Sequence, residues 1–298
     1  MQMTGDSYLA ETSVARDSWN IRRILAAIDF SAQTPQVLES VLAFARQFNA
    51  QVFFVHSIYN PSTNLPPLDQ ATALTEGRRK LRETLASRMS INTCSHTEIV
   101  SAERPELLVG HLVKKEHIDL VIVGSHGTSG MERLAFGSVA ENILRRATCP
   151  TLIVGPHAKV SGTPFRRILF ATDLSAPSEH AVHLANLAAA QQEGQLTFLH
   201  VFRRASSSMY EVEKAKLLER MRELFSAASA DACAVEFCVE PGRAGELIPQ
   251  IAANGHADLI VMGIAERTSE NTLTPWSTFA EVVHAAVCPV LAVRMARQ

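Results

Sequence analysis

The chain has 298 residues, of which 47% are hydrophobic and 19% are charged, a composition typical of globular proteins rather than disordered or fibrous ones. This length suits two domains of roughly 150 residues each better than a single core. A formal net charge of −2 offers no electrostatic basis for binding nucleic acid or an anionic membrane, so neither is an expected partner.

Several features indicate where the protein resides. The N-terminal segment, residues 1–19, is polar and lacks the apolar core of a signal peptide. No segment approaches the roughly 20 consecutive apolar residues that span a bilayer. The five cysteines are odd in number, which fits a reducing compartment, and Cys233 and Cys238 have no second pair at zinc spacing. We therefore expect a cytoplasmic protein without a metal site.

The first predicted elements alternate between strand and helix. Residues 23–28 and 52–56 are short apolar runs, typical of strands that are buried on both faces of a parallel sheet. Between them, Thr34 and Pro35 are typical of a helix N-cap followed by proline at the first helical position. After the second strand, a charged helix is predicted from about residue 70 to residue 89.

A glycine-containing segment follows the buried strand over 120–123. It reads Gly124-Ser125-His126-Gly127, then nine residues, then Gly137-Ser138. Glycines let the backbone approach phosphate oxygens closely because they carry no Cβ. The helix predicted over 139–146 begins at this point, and the N–H groups and dipole of a helix N-terminus favour an anion. The pattern therefore indicates a phosphate-binding loop.

Some of these residues also have explanations that need no ligand. Ser138 and Glu141 have the spacing of a capping box, in which both side chains satisfy N–H groups of their own helix. Asp29 follows the first strand directly and would also fit a cap of the next turn. His56 and His200 end buried strands, and we interpret them as hydrogen-bonded structural residues rather than ligands.

The second half of the chain repeats the first. Four segments recur in the same order, namely 23–31 as 167–175, 52–56 as 196–200, 118–124 as 257–263 and 149–154 as 288–293. The strand and helix order implies right-handed crossovers and a doubly wound parallel sheet in each half. The predicted organisation is a polar extension over 1–19, a first domain over 20–156, a linker over 157–164 and a second domain over 165–298.

The loop glycines differ between the halves. Gly263-Ile264-Ala265-Glu266 stands where the first half has Gly124 to Gly127, and Ser277-Thr278 replaces Gly137-Ser138. The capping-box spacing is kept by Thr278 and Glu281. Because the second half repeats the fold with fewer glycines, we attribute those of the first half to the approach of a phosphate rather than to the fold.

These motifs resemble the universal stress protein family over both halves, from about Asn20 to Arg294. The resemblance rests on the Ile-Leu-x-x-x-Asp-x-Ser start, the strand that ends in His56 and the phosphate motif. It implies an adenine-nucleotide α-hydrolase-like fold and ATP as the ligand, with or without Mg²⁺. The nucleotide-binding residues that it implies are Ala27, Ile28, Asp29, Ser57, Val123, Gly124, His126, Gly127, Gly137, Ser138 and Val139.

The resemblance also implies a function and an assembly. We expect an ATP-binding regulatory protein of stress tolerance with at most slow ATP hydrolysis, because neither a nucleophile–base–orienter set nor a Walker lysine is visible. The alternative is a nucleotide-free interaction module with an unknown protein partner. Family dimers pair through their last strands, so 151–154 is expected beside 290–293 in an internal pseudo-dimer, and a homodimer of whole chains is left open. Glu266 aligns with Gly127, so one ATP per chain is expected.

Overall fold

The computed structural model describes residues 19–60, 67–88, 94–126, 137–160, 165–202, 210–228, 233–264 and 274–294. The elements of the first half are β1 (Arg23–Ala27), α1 (Thr34–Phe48), β2 (Gln51–Ser57), α2 (Pro67–Ala86), β3 (His96–Ser101), α3 (Pro105–Lys115), β4 (Leu120–Gly124), α4 (Ser138–Arg146) and β5 (Thr151–Val154). Those of the second half are β6 (Arg167–Thr172), α5 (Ala176–Ala190), β7 (Gln195–Phe202), α6 (Tyr210–Ala228), β8 (Ala234–Pro241), α7 (Ala244–Asn254), β9 (Leu259–Ile264), α8 (Thr274–Ala285) and β10 (Val290–Arg294).

All ten strands form one continuous sheet in the order β3-β2-β1-β4-β5-β10-β9-β6-β7-β8. The described pairs within each half are parallel, as in β1 with β2 and β6 with β7. The helix after each of the first strands carries the chain back across the sheet, as buried parallel strands require. The prediction of two tandem doubly wound domains is therefore confirmed.

The two halves meet through their last strands. β5 and β10 pair antiparallel, with Leu291 opposite Leu152 and Val290 opposite Ile153. Leu152 and Leu291 occupy equivalent positions of the repeat, so a local two-fold axis passes near this pair. The expected pairing of 151–154 with 290–293 is confirmed.

The helices cover both faces of the sheet and bury two continuous cores. One core joins side chains of α1, α2, α5 and α6 to the sheet, and it includes Phe44, Phe54 and Phe198. The other joins α3, α4, α7 and α8, and it includes Ile143 and Phe279. Each core runs through both halves, so the domains share a hydrophobic interior as well as a sheet.

Several helix ends differ from the sequence-based prediction. Thr34 is the first residue of α1 rather than its N-cap, which is Gln33, and Thr34 is buried. The proline at the second helical position still suits the helix because its missing N–H would have had no partner there. α2 runs over Pro67–Ala86, a few residues earlier than predicted.

Two further features concern the ends of the fold. Trp19, which the sequence places in the N-terminal extension, is 7% exposed and packs edge-on against Phe44 and Phe48. Asp119 accepts backbone hydrogen bonds from Arg22 and Arg23 at the start of β1.

Within the part of the chain that is described, no helix combines the length and apolarity needed to cross a membrane.

Candidate functional site

A cavity of about 290 Å³ lies at the carboxyl ends of β1, β2 and β4. In the sheet, β1 lies between β2 and β4. The chain therefore runs from β1 outward to β2 and β3 and then crosses back to β4 on the other side of β1. Such a switch point is where open α/β sheets bind ligands. Ten of the predicted site residues line this cavity: Ala27, Ile28, Asp29, Ser57, Val123, Gly124, His126, Gly137, Ser138 and Val139. The eleventh, Gly127, lies outside the described residues.

One end of the cavity is apolar. α3 contributes Pro105, Leu108 and Val109, and α4 contributes Ala140 and Ile143. The sequence analysis did not assign these residues to the site. Their helical spacing indicates an apolar face, but only the packing of α3 and α4 over the sheet directs that face toward the ends of the strands. This end suits a planar, weakly polar group such as a base.

Ser57, the last residue of β2, lies at the rim of this apolar end. Its hydroxyl donates to the carbonyl oxygen of Glu103 at 2.6 Å and accepts from the N–H of Tyr59 at 3.1 Å. The second half has the apolar Val201 at this position. Because the hydroxyl is bonded to the backbone on both sides, it adds no unsatisfied polar group to the cavity.

Asp29 has two oxygens with different surroundings. Its Oδ1 accepts from the N–H of Ser31 at 2.9 Å and from the Thr34 hydroxyl at 3.5 Å, which is the turn-capping role expected from the sequence. Its Oδ2 has no hydrogen-bond partner among the described residues. Since the side chain is exposed at the cavity, Oδ2 is available to accept from a ligand hydroxyl.

His56 and His200 are both hydrogen-bonded to the backbone, as predicted, and His56 also lines the cavity. The Nδ1–H of His56 donates to the carbonyl oxygen of Ile28, and that of His200 donates to Thr172, each at 2.8 Å. Burial lowers the pKa of both imidazoles below its ordinary value, against the opposite effect of these carbonyl contacts. Both side chains are therefore held neutral beneath the ends of their strands.

A small polar network lies directly after β4. The hydroxyl of Ser125 is 2.8 Å from Nδ1 of His126 and 3.4 Å from Nε2 of Gln33. Gln33 Oε1 accepts the N–H of His126 at 3.1 Å. The Ser125–His126 distance would suit a nucleophile and its base, but Ser125 is fully buried and so is not accessible to a substrate.

The N-terminus of α4 faces the cavity without a capping side chain. The N-cap position is Gly137, and Ser138 is the first helical residue rather than the cap. Glu141 pairs with Arg145 one turn later instead of turning back to the helix start. The capping box predicted for Ser138 and Glu141 is therefore wrong. The first N–H groups of α4, including that of Val139, have no carbonyl partner within the helix.

The fold accounts for more of the glycines than the sequence suggested. A Cβ at Gly137 would lie 2.8 Å from the carbonyl oxygen of Ser125, and the Gly137 N–H donates to that same oxygen. At Gly263, which corresponds to Gly124, a Cβ would lie 2.7 Å from the backbone of Pro177. Close backbone approach thus requires glycine at positions 137 and 263, so attributing Gly137 to phosphate approach alone was wrong, whereas a Cβ on Gly124 would meet only side chains, the nearest being Gln33.

The second half differs at the same place. α8 begins at Thr274, so Thr278, which aligns with Ser138, lies inside the helix and not at its cap. Glu266, which aligns with Gly127 and on which the expectation of one ATP per chain rests, lies outside the described residues. The backbone nevertheless shows that the helix N-terminus of the second half is displaced by about one turn.

The charged groups around the cavity are few. Among the lining residues that are described, Asp29 is the one carboxylate, and none is lysine or arginine. In the same described part of the chain, no group of three or more His, Cys, Asp and Glu side chains is arranged to hold a metal ion. An anion at this site would therefore be held by N–H and hydroxyl dipoles.

Comparison with known proteins gives the same architecture. A universal stress protein A homolog of Coxiella burnetii is 34% identical over 149 residues, which cover 45% of this chain and 95% of the relative. A universal stress protein of Methanocaldococcus jannaschii is 26% identical over 154 residues, which cover 49% of this chain and 90% of the relative. The crystal structure of a universal stress protein from Archaeoglobus fulgidus covers 94% of this chain and 98% of its own, at 20% identity and a TM-score of 0.71.

Each of the two sequence relatives spans about half of this chain, which agrees with the internal repeat. The sequence matches the universal stress protein family twice, over residues 20–155 and over residues 164–294. The chain therefore belongs to the universal stress protein family.

Proposed function

We propose that the first domain binds ATP in the cavity between β1, β2 and β4, and that the bound nucleotide sets the conformation or partner choice of a cytoplasmic regulatory protein of stress tolerance. Membership of the universal stress protein family supports this proposal. The cavity supports it independently, since it has an apolar end for a base and a polar end for phosphates.

The observation that carries the proposal is the uncapped N-terminus of α4 at the polar end of the cavity. The N–H groups of Ser138 and Val139 have no intrahelical partner, and the exposed Ser138 hydroxyl has no hydrogen bond with the described residues. Phosphate oxygens would satisfy these donors and would gain from the helix dipole. Oδ2 of Asp29 would accept the ribose hydroxyls on the other side.

The same residues favour binding over rapid turnover. The lining that is described has one carboxylate, Asp29, so a Mg²⁺ ion would be coordinated mainly by the phosphates and by water. The buried Ser125 hydroxyl is not accessible as a nucleophile. Hydrolysis would therefore be slow at most, because the described lining has no lysine or arginine to stabilise the transferred phosphoryl group.

The sharpest test is Ser138→Asp. A carboxylate at the first position of α4 is favourable for the helix, so stability should be unchanged or slightly higher. Against a phosphate about 4 Å away it costs from about 1 kcal/mol in water to about 4 kcal/mol at an effective dielectric of about 20. Isothermal titration should therefore show at least a roughly fivefold loss of ATP affinity.

Ser138→Asn is the matched control, since it has a similar size without the charge, and it should bind ATP more tightly than the aspartate variant. Adenosine, which lacks phosphates, should bind both variants equally. Equal ATP affinity in the unaltered chain and in Ser138→Asp would show that the phosphates do not lie at α4.

A second candidate is the nucleotide-free interaction module. One observation favours it: the N–H groups of His126 and Gly137 are bonded to Gln33 and Ser125, so two amides of the motif are already satisfied within the protein. Mass spectrometry of the acid extract of purified protein separates the two functions. Adenine nucleotide in that extract supports ATP binding, and its absence together with no binding in titration supports the interaction module.

A further inference from the structure

Gln33 connects the start of α1 to the first residues after β4. Because Gln33 lies 92 residues before Ser125 in the chain, the sequence gave no indication that the two residues are in contact. Oε1 accepts the N–H of His126 at 3.1 Å, and Nε2 lies 3.4 Å from the Ser125 hydroxyl. A Cβ on Gly124 would lie 3.0 Å from the same Oε1, so the amide also fills the space beside that glycine.

These contacts fix both described ends of the glycine motif. His126 at the first end is bonded to Gln33 directly. Gly137 at the second end donates its N–H to the carbonyl oxygen of Ser125 at 2.8 Å. Ser125 therefore contacts both Gln33, through its hydroxyl, and Gly137, through its carbonyl oxygen. Gly137 immediately precedes α4. A shift of the Gln33 amide would be transmitted to the start of that helix.

The second half provides a natural comparison. Asp29 and Asp173 both bond to the serine two residues later, and His56 and His200 both bond to backbone carbonyl oxygens. Gln33, however, is replaced by Pro177, whose backbone lies directly against Gly263. Proline has no side-chain amide, so this connection is absent from the domain in which the glycine motif is also altered.

We propose that Gln33 is a positioning residue for phosphate binding: its side-chain amide holds the backbone after β4 in the conformation that places the N-terminus of α4 against the phosphates. This role rests on the proposed ATP site. It predicts that loss of the amide weakens binding of the triphosphate specifically, because Gln33 contacts the backbone directly after β4, whereas the apolar side chains of the cavity come from α3 and from Ala140 and Ile143 further along α4.

The test is Gln33→Met, which has a similar length without the amide, with titration of ATP and of adenosine. Loss of the bond to His126 should lower ATP affinity about tenfold, which corresponds to about 1.4 kcal/mol, while adenosine affinity stays within a factor of about two. Gln36→Met is the matched control on the same helix, because the Gln36 amide lies near the carbonyl oxygens of Ala32 and Gln33. It should leave both affinities unchanged.

The outcomes distinguish the role of Gln33 from the proposed function. If the unaltered chain binds ATP and Gln33→Met binds it equally well, the role of Gln33 is overturned and the ATP site stands. An equal loss of ATP and adenosine affinity would also overturn that role, since it would show a general structural effect. No nucleotide binding by the unaltered chain would overturn both proposals. Gln33→Leu repeats the comparison if the methionine variant does not fold.

Discussion

At the scale of single residues, the two strand-end histidines make stability depend on pH. Burial lowers the pKa of His56 and His200 below the ordinary value of about 6.5. The unfolded chain therefore binds more protons than the folded chain as the pH falls through this value, and stability is lost on acidification. We expect a lower free energy of unfolding at about pH 5.5 than at about pH 7.5, measured by urea denaturation.

The control for this prediction keeps the hydrogen bonds. His56→Asn and His200→Asn place an amide donor near the position of Nδ1 but do not titrate. The double variant should show a smaller change in unfolding free energy between the two pH values. An unchanged pH dependence would mean that other groups are responsible.

At the scale of elements, the C-terminus of α4 is held by the second domain. Nη1 of Arg294, at the end of β10, donates to the carbonyl oxygen of Leu144 at 3.1 Å and to that of Arg145. The second domain thus satisfies carbonyl groups at the C-terminus of the helix whose N-terminus faces the cavity. A guanidinium group is also the favourable charge at this end of a helix dipole.

Replacing Arg294 should therefore destabilise the protein. We expect Arg294→Leu to lower the free energy of unfolding by about 1.5–3 kcal/mol, the usual value for hydrogen bonds from a charged donor, with urea denaturation as the measurement. Arg294→Lys retains the charge and should recover part of this loss. A leucine variant as stable as the unaltered chain would show that water replaces the guanidinium without cost.

At the scale of the whole molecule, the shared sheet makes each domain depend on the other. The pairing of β5 with β10 covers a strand edge in each half, and an uncovered edge readily pairs with another chain. The first domain alone, residues 19–160, should therefore form a homodimer through β5, and the second domain alone should do so through β10. Light scattering measures this directly, and a monodisperse monomer of either domain would contradict it.

The two halves repeat the same fold, but only the first is proposed to bind ATP. Pro177 replaces Gln33, and α8 begins about one turn before the position that aligns with Ser138. The helix N-terminus in the second half is therefore displaced from the place where phosphates would bind. We expect isothermal titration to give one ATP per chain, and a stoichiometry of two would contradict the assignment of the site to the first domain.

The sequence determined the repeat and the alternation of parallel strands with helices, and its resemblance to a known family implied ten residues that line one cavity. The strands and the loop follow from local signals, because consecutive apolar residues predict buried parallel strands and glycines after such a strand predict a close approach of the backbone. The helix ends were less predictable, because Thr34 and Ser138 have good capping side chains and yet stand inside their helices. Capping depends on the backbone angles of one residue, which the neighbouring packing decides.

Only the tertiary structure decided which distant residues meet. Gln33 lies beside His126, and Arg294 contacts the end of α4, because the sheet brings separate segments together at one edge. The tertiary structure also explains why residue 137 is glycine: a Cβ there would collide with the carbonyl oxygen of Ser125. A glycine in a sequence shows that a Cβ is absent, but the atom that occupies the vacant space is known only once the chain has folded.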